Sequence, residues 1–304
     1  VECVSYLASM GKRLVILSNT SSPADSALRK LSKMGFDPAH FEGAVTSGEE
    51  ASRHVRETYG SGGGAEEKSK QRRNSKAFWF TWSADNPDAT AHPLAFLGRC
   101  GHVTPASSVD EADFVLVHGT QVVRGPGVDG EASVTPLGSF KENGDLSLVE
   151  PYLQVCLNRD LPMVCCNPDF VVKLSSGDLA HMPGKIARRY EEMGGKVASF
   201  GKPHVSHFEA CLRELGAAEN GRSRVVHVGD SLHHDVAGAN AAGIDCVFVT
   251  GGIHHDDLMG LGESMTKAER EMTPVGIMPE KEALAALFKR EGIVPKLVVP
   301  MFQM

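Results

Sequence analysis

The sequence predicts an α/β protein with an open parallel sheet, helices on both faces, and a second α/β module inserted into it. Two observations lead to this fold class. Short apolar runs alternate with amphipathic helical patterns along the chain, as they do in βαβ units. This rhythm is interrupted once and resumes after Gly195, which indicates an insertion of ordinary domain size.

The first predicted unit covers residues 1–75. A helical pattern over residues 1–10 leads to RLVILSN, an apolar run typical of a buried parallel strand. SSPADSALRKLSKMG predicts a helix with Ser21 or Ser22 as its N-cap, FEGAVTSG a second strand, and EEASRHVRETYG another helix. The Gly-rich, charged segment 60–75 predicts a flexible linker.

The inserted module is predicted over residues 76–194. Its strands are AFWFTW, DFVLVHG and PMVCCNPD, and its helices are PLAFLGRC, LVEPYLQVCLN and KIARRYEEMG. The polar stretch 119–147 predicts a surface insertion. Residues 195–304 then return to the core with the strands KVASF, RVVHVGD and DCVFVTGG. Helices HFEACLRELG, HDVAGANAAG and EKEALAALFKREG follow these strands, before a short apolar tail, KLVVPMF.

Composition excludes several classes of protein. Hydrophobic residues make up 41% and charged residues 23%, as in ordinary soluble domains. The net charge of -7 and the pI near 6.0 argue against a nucleic-acid partner, and no apolar run is long enough for a membrane span. Cys165 and Cys166 lie in an apolar run, so buried reduced thiols are expected rather than a disulfide framework. A reducing compartment, the cytoplasm or a plastid, fits.

Two predicted strand ends carry residues suited to phosphate. Ligands of open α/β sheets gather at the carboxyl ends of strands. In LSNTS, the Ser18 hydroxyl and the backbone around Asn19 lead towards a helix N-terminus, which attracts anions; a plain N-cap turn is the alternative. In FGKPH, Lys202 offers a compact positive charge for phosphate, and a solvated loop lysine is the alternative.

A third strand end, VVHVGDSLHHD, is suited to a metal. Asp230 ends an apolar run, where a carboxylate is costly unless it binds something. Carboxylate oxygens suit Mg²⁺, so Asp230 and Asp235 are assigned to a magnesium site. For Asp235, a supporting or helix-capping role is favoured over direct ligation.

Histidines offer a competing zinc site. Five of them cluster in the sequence: His227, His233, His234, His254 and His255. Zinc prefers three or four imidazole or thiolate ligands. The neighbouring residues His233 and His234 should point in different directions, and His227 lies inside a strand. Magnesium is therefore favoured over zinc.

These residues resemble a known family. Ser18, Lys202 and Asp230, in this order at strand ends, resemble three of the four signature motifs of the haloacid dehalogenase (HAD) superfamily. NPD at Asn167–Asp169, FGKPH, GDSLHHDVAGANAAGI and VTGGIH look like its class IIA branch, which includes p-nitrophenylphosphatase-like, phosphoglycolate and pyridoxal-phosphate phosphatases. The closest likeness is to little-characterised plant, algal and bacterial members. The resemblance covers nearly the whole chain and implies a Rossmannoid core with an inserted cap.

The resemblance implies a mechanism. An aspartate attacks the phosphoryl group, and water cleaves the resulting aspartyl-phosphate. Mg²⁺ bridges the aspartate and the phosphate. Ser18, Asn19 and Lys202 would bind the phosphate, and Asp230 would hold the metal. The cap would select a small phosphorylated metabolite, with four cap residues as candidates for contacting it: Asn167, Asp169, His181 and Met182. Turn formation is the alternative role for the first two.

One departure from the family concerns the nucleophile. The family places it in a DxDG-type motif, on a strand before the helix at residues 1–10, and these 304 residues contain no such strand. We therefore expect the natural start to lie upstream of Val1. Alone, the chain should be inactive, by analogy with nucleophile deletions that cost on the order of 10⁶-fold in rate.

Three functions are compared. The leading one is a phosphomonoester hydrolase, without nucleic-acid or membrane partners, for which a homodimer through the cap is considered. The second is a pseudophosphatase that binds a phosphorylated ligand or a protein partner. The third, a Rossmann dehydrogenase, requires GxGxxG after a strand, and this fingerprint does not occur in the sequence.

Overall fold

A computed structural model of the protein describes residues 1–60, 74–84, 92–126, 132–174, 178–217, 220–261 and 276–303. By its contacts the chain divides into two compact units. The terminal unit consists of Val1–Leu17, Leu28–Ala44 and Lys202–Met304, and the inserted unit of Ser18–Ala27 and Val45–Gly201. The predicted boundaries at residues 75 and 194 remain predictions. Most of the predicted linker falls outside the described residues.

Helices and strands alternate along the chain, as the sequence predicts. The helices are α1 (Glu2–Ser9), α2 (Ala24–Lys33), α3 (Ser47–Thr58), α4 (Pro93–Arg99), α5 (Phe140–Asn143), α6 (Glu150–Asn158), α7 (Pro183–Glu192), α8 (Val205–Glu214), α9 (Ala237–Ala241), α10 (His255–Leu258) and α11 (Lys281–Glu291). The strands are β1 (Val15–Ser18), β2 (Gly43–Thr46), β3 (Ser75–Thr81), β4 (Val103–Pro105), β5 (Phe114–Val117), β6 (Val122–Pro126), β7 (Ala132–Pro136), β8 (Met163–Cys165), β9 (Val171–Lys173), β10 (Leu179–His181), β11 (Val197–Ser199), β12 (Val226–Gly229), β13 (Asp245–Val249) and β14 (Leu297–Val299).

The inserted unit contains a seven-stranded sheet in the order β11-β8-β5-β3-β6-β7, with β4 also paired to β3. The pairs β11–β8, β8–β5, β5–β3 and β3–β4 are parallel. The stretch 119–147, expected to be a surface insertion, instead contributes strands β6 and β7 to this sheet. They run antiparallel, with Val123 opposite Phe80, so their backbone groups complete the sheet ladder.

Both faces of this sheet are buried. On one face, Phe80, Val117 and Cys165 pack with residues of α6 and α7. On the other face, alternate residues such as Trp79 and Leu116 pack with α3 and α4. Burial on both faces explains why these strands are continuous apolar runs. Cys165 and Cys166 are both buried and free, as predicted.

Two smaller sheets are formed by strands that lie wholly or partly in the terminal unit. Strand β1 pairs with β2, and β12, β13 and β14 form a parallel three-stranded sheet. Strand β14 comes from the apolar tail and pairs with β13, with Val298 opposite Phe248. Among the described residues, β1 and β12 each have one neighbour, so each keeps an open edge. Val226 of β12 is 52% exposed, which is unusual for a parallel strand.

Membrane insertion of a helix has no support here. Within the ranges described above, every helix is too short or too polar to cross a bilayer.

His118 should make stability depend on pH. It follows β5 and is fully buried, with its ring stacked 3.9 Å from Phe96 and its Nδ1 3.0 Å from Thr81 Oγ1. Burial lowers the pKa of His118 to about 3. Above the unfolded-state pKa of about 6.5, neither state binds this proton and the full stability is present. As the pH falls from 6.5 towards 3, only the unfolded state takes up the proton, so stability is lost.

We therefore expect the free energy of unfolding to fall by about 2 kcal/mol between pH 7 and pH 5 because of His118. The variant His118→Asn keeps a polar group beside Thr81 but does not titrate, so its stability should fall less over the same range. Urea unfolding of both proteins at pH 7.5, 6 and 5 measures this difference, since the other histidines are common to both. Equal losses in the two proteins would contradict the assignment.

Candidate active site

The loop after β1 is held within the inserted unit. Ser18 is the last residue of β1, and its Oγ lies 3.3 Å from the N–H of Thr20, which donates to it. The carbonyl of Thr20 accepts hydrogen bonds from Ser47 Oγ and Gly48 N, both at 3.1 Å. The start of α3 therefore fixes the backbone beside Ser18.

Asn19 connects this loop to the segment NPD. Asn19 is buried, and its Nδ2 donates to Asp169 Oδ1 at 2.7 Å. Asn167 is also buried, and its Oδ1 accepts the N–H of Asp169 at 2.8 Å, which closes a turn after β8. Asn167 thus shapes the turn, and Asp169 carries the contact to Asn19.

Gly201 brings a third segment to the same place. Its φ of +121° lies in a region that L side chains rarely adopt. A Cβ at this position would lie 2.6 Å from Asn19 Oδ1 and 2.7 Å from Pro168 Cδ, too close for any other residue. Three segments predicted to carry function, LSNTS, NPD and the Gly201 turn, therefore meet in the inserted unit.

His181 and Met182 lie on the hairpin formed by β9 and β10. His181 ends β10 and is partly buried; burial, followed by the charge of Lys185, lowers its pKa. The carbonyl of His181 accepts a hydrogen bond from Thr120 Oγ1 at 3.2 Å, and Met182 N donates to Phe170 O at 2.9 Å. Their predicted substrate role stays a prediction.

A buried charged cluster lies in the terminal unit. Lys202 Nζ donates to Asp235 Oδ1 at 2.7 Å, and His227 Nε2 lies 2.8 Å from the same oxygen. The Ser231 N–H donates to Asp235 Oδ2 at 3.0 Å. The side chains of Lys202, His227 and Asp235 are 16%, 12% and 3% exposed. The carboxylate of Asp235 is therefore held almost entirely by protein donors.

This environment keeps Asp235 ionised. Burial by itself raises the pKa of Asp235, but the hydrogen bond from His227 and the charge of Lys202 outweigh burial and lower the pKa below its ordinary value. Asp235 lies inside a π-helical turn, Leu232–Val236, which Ser231 caps through its Oγ. Asp235 Oδ2 also accepts the backbone N–H of Ser231, the residue that begins this turn. This hydrogen bond is of the capping type, and Asp235 makes it in addition to its ion pair with Lys202.

Asp230 lies where β12 ends, next to a cavity. Its Oδ2 accepts the N–H of Ile253 at 3.1 Å, and the described part of the chain holds no other hydrogen bond to this carboxylate. A Cβ at Gly252 would overlap the Asp230 carboxylate, so this close approach requires glycine. The cavity measures about 310 Å³ and is lined by Val228, Gly229, Asp230, Val249, Gly251, Gly252, Met301 and Phe302.

The histidines of the competing zinc site are directed to different partners. His233 Nε2 lies 2.9 Å from Glu291 Oε2, and His254 Nε2 accepts the Leu232 N–H at 3.3 Å. The described ranges contain no group of three or more His, Cys, Asp or Glu residues that could hold a metal ion. Zinc, which needs such a group, is therefore not supported by these residues. Magnesium accepts one or two carboxylates completed by water and phosphate, and Asp230 can provide one.

Sequence reasoning missed two contacts of this region. It considered His227 only as a zinc ligand, whereas this side chain faces Asp235. The sequence did contain a signal for this contact: in HVGDSLHHD, Gly229 follows His227 by two residues in the strand and leaves space beside it for a side chain from the next turn. The contact between Asn19 and Asp169 joins residues 150 positions apart, and no local pattern marks it.

Comparisons with known proteins agree with this architecture. Residues 199–270 match the family model described as HAD-hydrolase-like. No protein with a curated description matches the sequence. The chain is similar to p-nitrophenyl phosphatase from Archaeoglobus fulgidus, with 20% identity, 99% of this chain and 88% of that chain covered, and a TM-score of 0.58.

Two further solved structures are similar. One, from Cytophaga hutchinsonii, is described as a possible sugar phosphatase of the HAD superfamily (17% identity, 100% of this chain and 87% of that chain, TM-score 0.63). The other is glycerol phosphate phosphatase from Mycobacterium tuberculosis in complex with magnesium (17% identity, 92% and 69%, TM-score 0.52). The chain therefore has the fold of the haloacid dehalogenase superfamily, and its segment 199–270, with Lys202 and Asp230, carries the HAD-hydrolase-like sequence pattern.

Proposed function

We propose that the protein is a magnesium-dependent phosphatase that hydrolyses a small phosphorylated metabolite. The observation that carries this proposal is the charged cluster of the terminal unit. Lys202 is fixed by a buried, ionised Asp235, and Asp230 lies at the end of β12 with its carboxylate beside a cavity. A fixed ammonium and an available carboxylate are the groups that phosphoryl transfer requires.

Each residue has a distinct role in this proposal. Lys202 binds a phosphoryl oxygen and stabilises the charge that shifts onto it in the transition state. Ser18 donates its hydroxyl to a second oxygen. Asn19 is held by Asp169 and keeps the loop around Ser18 in place. The primary role of Asn167 and Asp169 in this proposal is therefore to hold this loop.

Asp230 would hold Mg²⁺, with Asp235 supporting the site. When bound, the ion shields the repulsion between an attacking carboxylate and the phosphate. Asp235 is committed to Lys202, His227 and Ser231, so we assign the direct contact to Asp230.

The nucleophile of this proposal is an aspartate outside these 304 residues. The resemblance puts it on a strand between those that end at Ser18 and Asp230. The open edges of β1 and β12, and the exposure of Val226, support a further strand at these edges. The aspartate would form an aspartyl-phosphate that water then cleaves.

A pseudophosphatase is the second candidate. The same phosphate-binding residues would serve it, and it differs only in lacking turnover. The buried Lys202–Asp235 pair favours neither candidate, because a binding protein needs the same fixed charge.

The first test restores the residues that precede Val1 in the natural protein and measures p-nitrophenyl phosphate hydrolysis with Mg²⁺ and with EDTA. We expect turnover only with Mg²⁺ and only in the restored protein. The 304-residue chain should be slower by about 10⁶-fold, the scale of losing a nucleophile. A restored protein that folds but hydrolyses neither this ester nor a panel of phosphomonoesters would favour the pseudophosphatase.

A glycine substitution tests the geometry of the charged cluster. In Gly229→Ala, the added methyl group would overlap the Asp235 carboxyl group and displace it from Lys202. We expect kcat/KM of the restored protein to fall by about 10–100-fold, because the ammonium loses its fixed position. Gly98→Ala is the matched control, since its methyl group meets nothing within 4 Å. Equal activity of the two variants would show that Asp235 does not position Lys202.

A further inference from the structure

His227 is partly buried in the charged cluster, with 12% of its side chain exposed, and the proposed chemistry assigns it no contact with phosphate or metal. It lies in β12, three residues before Asp230. Its ring packs edge-on against Phe208 of α8, with centroids 5.2 Å apart and planes at 75°. Its Nε2 lies 2.8 Å from Asp235 Oδ1.

One face of β12 forms a slot for the Asp235 carboxylate. Side chains two residues apart in a strand lie on the same face, so His227 and Gly229 share one face. Gly229 has no side chain there, and the space that its Cβ would take is filled by the Asp235 carboxyl group. His227 closes the slot on one side with a polar ring. An aliphatic residue would fill the same volume without reaching Asp235 Oδ1.

The carboxylate in this slot has three donors. Lys202 Nζ and His227 Nε2 share Oδ1, and the Ser231 N–H takes Oδ2. Because Asp235 is ionised and the oxygen accepts from both nitrogen atoms, the hydrogen of the imidazole is assigned to Nε2. The lysine stem is flexible and its ammonium is a compact point charge, so the position of the Asp235 oxygen to which it donates bears directly on where that charge lies.

We propose that His227 is a positioning residue, which donates from Nε2 to Asp235 Oδ1 and thereby fixes the carboxylate that holds the Lys202 ammonium. The proposal rests on the phosphatase function proposed above, in which Lys202 stabilises the transferring phosphoryl group. His227 touches neither phosphate nor metal in this role. Its loss would leave the Asp235 carboxylate with two donors and more freedom to move.

Two amide variants separate positioning from packing. In His227→Gln, the amide nitrogen reaches about as far as imidazole Nε2 and can donate to Asp235. In His227→Asn, the amide is shorter and reaches only about as far as Nδ1. Both amide side chains are polar and uncharged, and neither is larger than the histidine side chain. His233→Gln is the control, because His233 is 60% exposed and pairs with Glu291.

The kinetic experiment uses the restored protein with Mg²⁺ and p-nitrophenyl phosphate. We expect His227→Asn to lower kcat by about 10-fold and to change KM by less than about 3-fold, because a misplaced charge weakens the transition state more than substrate binding. His227→Gln should recover most of kcat, and His233→Gln should match the unchanged protein. Equal kcat in His227→Asn and His227→Gln would overturn the proposal.

A second measurement does not depend on turnover. Acetylation of Lys202 by a limiting amount of acetic anhydride, followed by mass spectrometry, reports how firmly its amine is held. We expect Lys202 to react about 3-fold faster in His227→Asn than in His227→Gln, with other lysines unchanged. If this difference appears in an inactive protein, the positioning role stands and the phosphatase proposal fails. If Lys202 reacts equally in both variants, His227 has no positioning role.

Discussion

The buried ion pair between Lys202 and Asp235 is the interaction on which the arrangement of the terminal unit depends. Removing a carboxylate from water costs several kcal/mol, and a partner charge offsets this only when the remaining hydrogen bonds are also satisfied. Asp235 therefore requires donors on both oxygens, from Lys202, His227 and Ser231. It also requires space, which the missing side chain of Gly229 provides. One buried charge thus accounts for the residue types at three other positions of the chain, Lys202, His227 and Gly229.

In the inserted unit, other interactions hold the strand ends and the loops that follow them in place. Its seven-stranded sheet is packed on both faces by apolar side chains, so its strand ends have fixed positions. The turn after β8 is closed by Asn167, and Asp169 then reaches Asn19 beside Ser18. Gly201 completes this arrangement by allowing its backbone to approach Asn19 and Pro168. Hydrogen bonds between the two asparagine side chains and Asp169 hold this loop at the end of a strand, without a lysine partner of the kind found in the terminal unit.

The local sequence pattern predicted most helices and strands, but it did not predict which strands pair or which distant side chains meet. The run DFVLVHG predicted β5 because burial on both faces demands continuous apolar residues, and the apolar run RVVHVGD predicted β12, although Val226 is exposed. The stretch 119–147 was misread, since its two five-residue strands contain glycine and proline and join the sheet by pairing, β6 with β3 and β7 with β6. The tail strand β14 was missed because it is defined by its pairing with β13, which the local sequence does not show. The roles of Asp230 and Lys202 were predicted from their positions after strands and stay predictions. The contacts Lys202–Asp235 and Asn19–Asp169 join residues 33 and 150 positions apart, which no local pattern shows.

In the part of the chain that the structure describes, β1 and β12 each keep one unpaired edge, and this has a consequence for handling the protein. A strand with one unpaired edge presents a row of backbone N–H and C=O groups that can pair with any other extended chain. Neither edge has a proline, a bulge or a lysine among the residues of β1 and β12 to discourage such pairing. Where no further strand covers them, these edges would recruit strands from neighbouring molecules. A segment that paired with these edges would therefore also oppose self-association, independently of any part in catalysis.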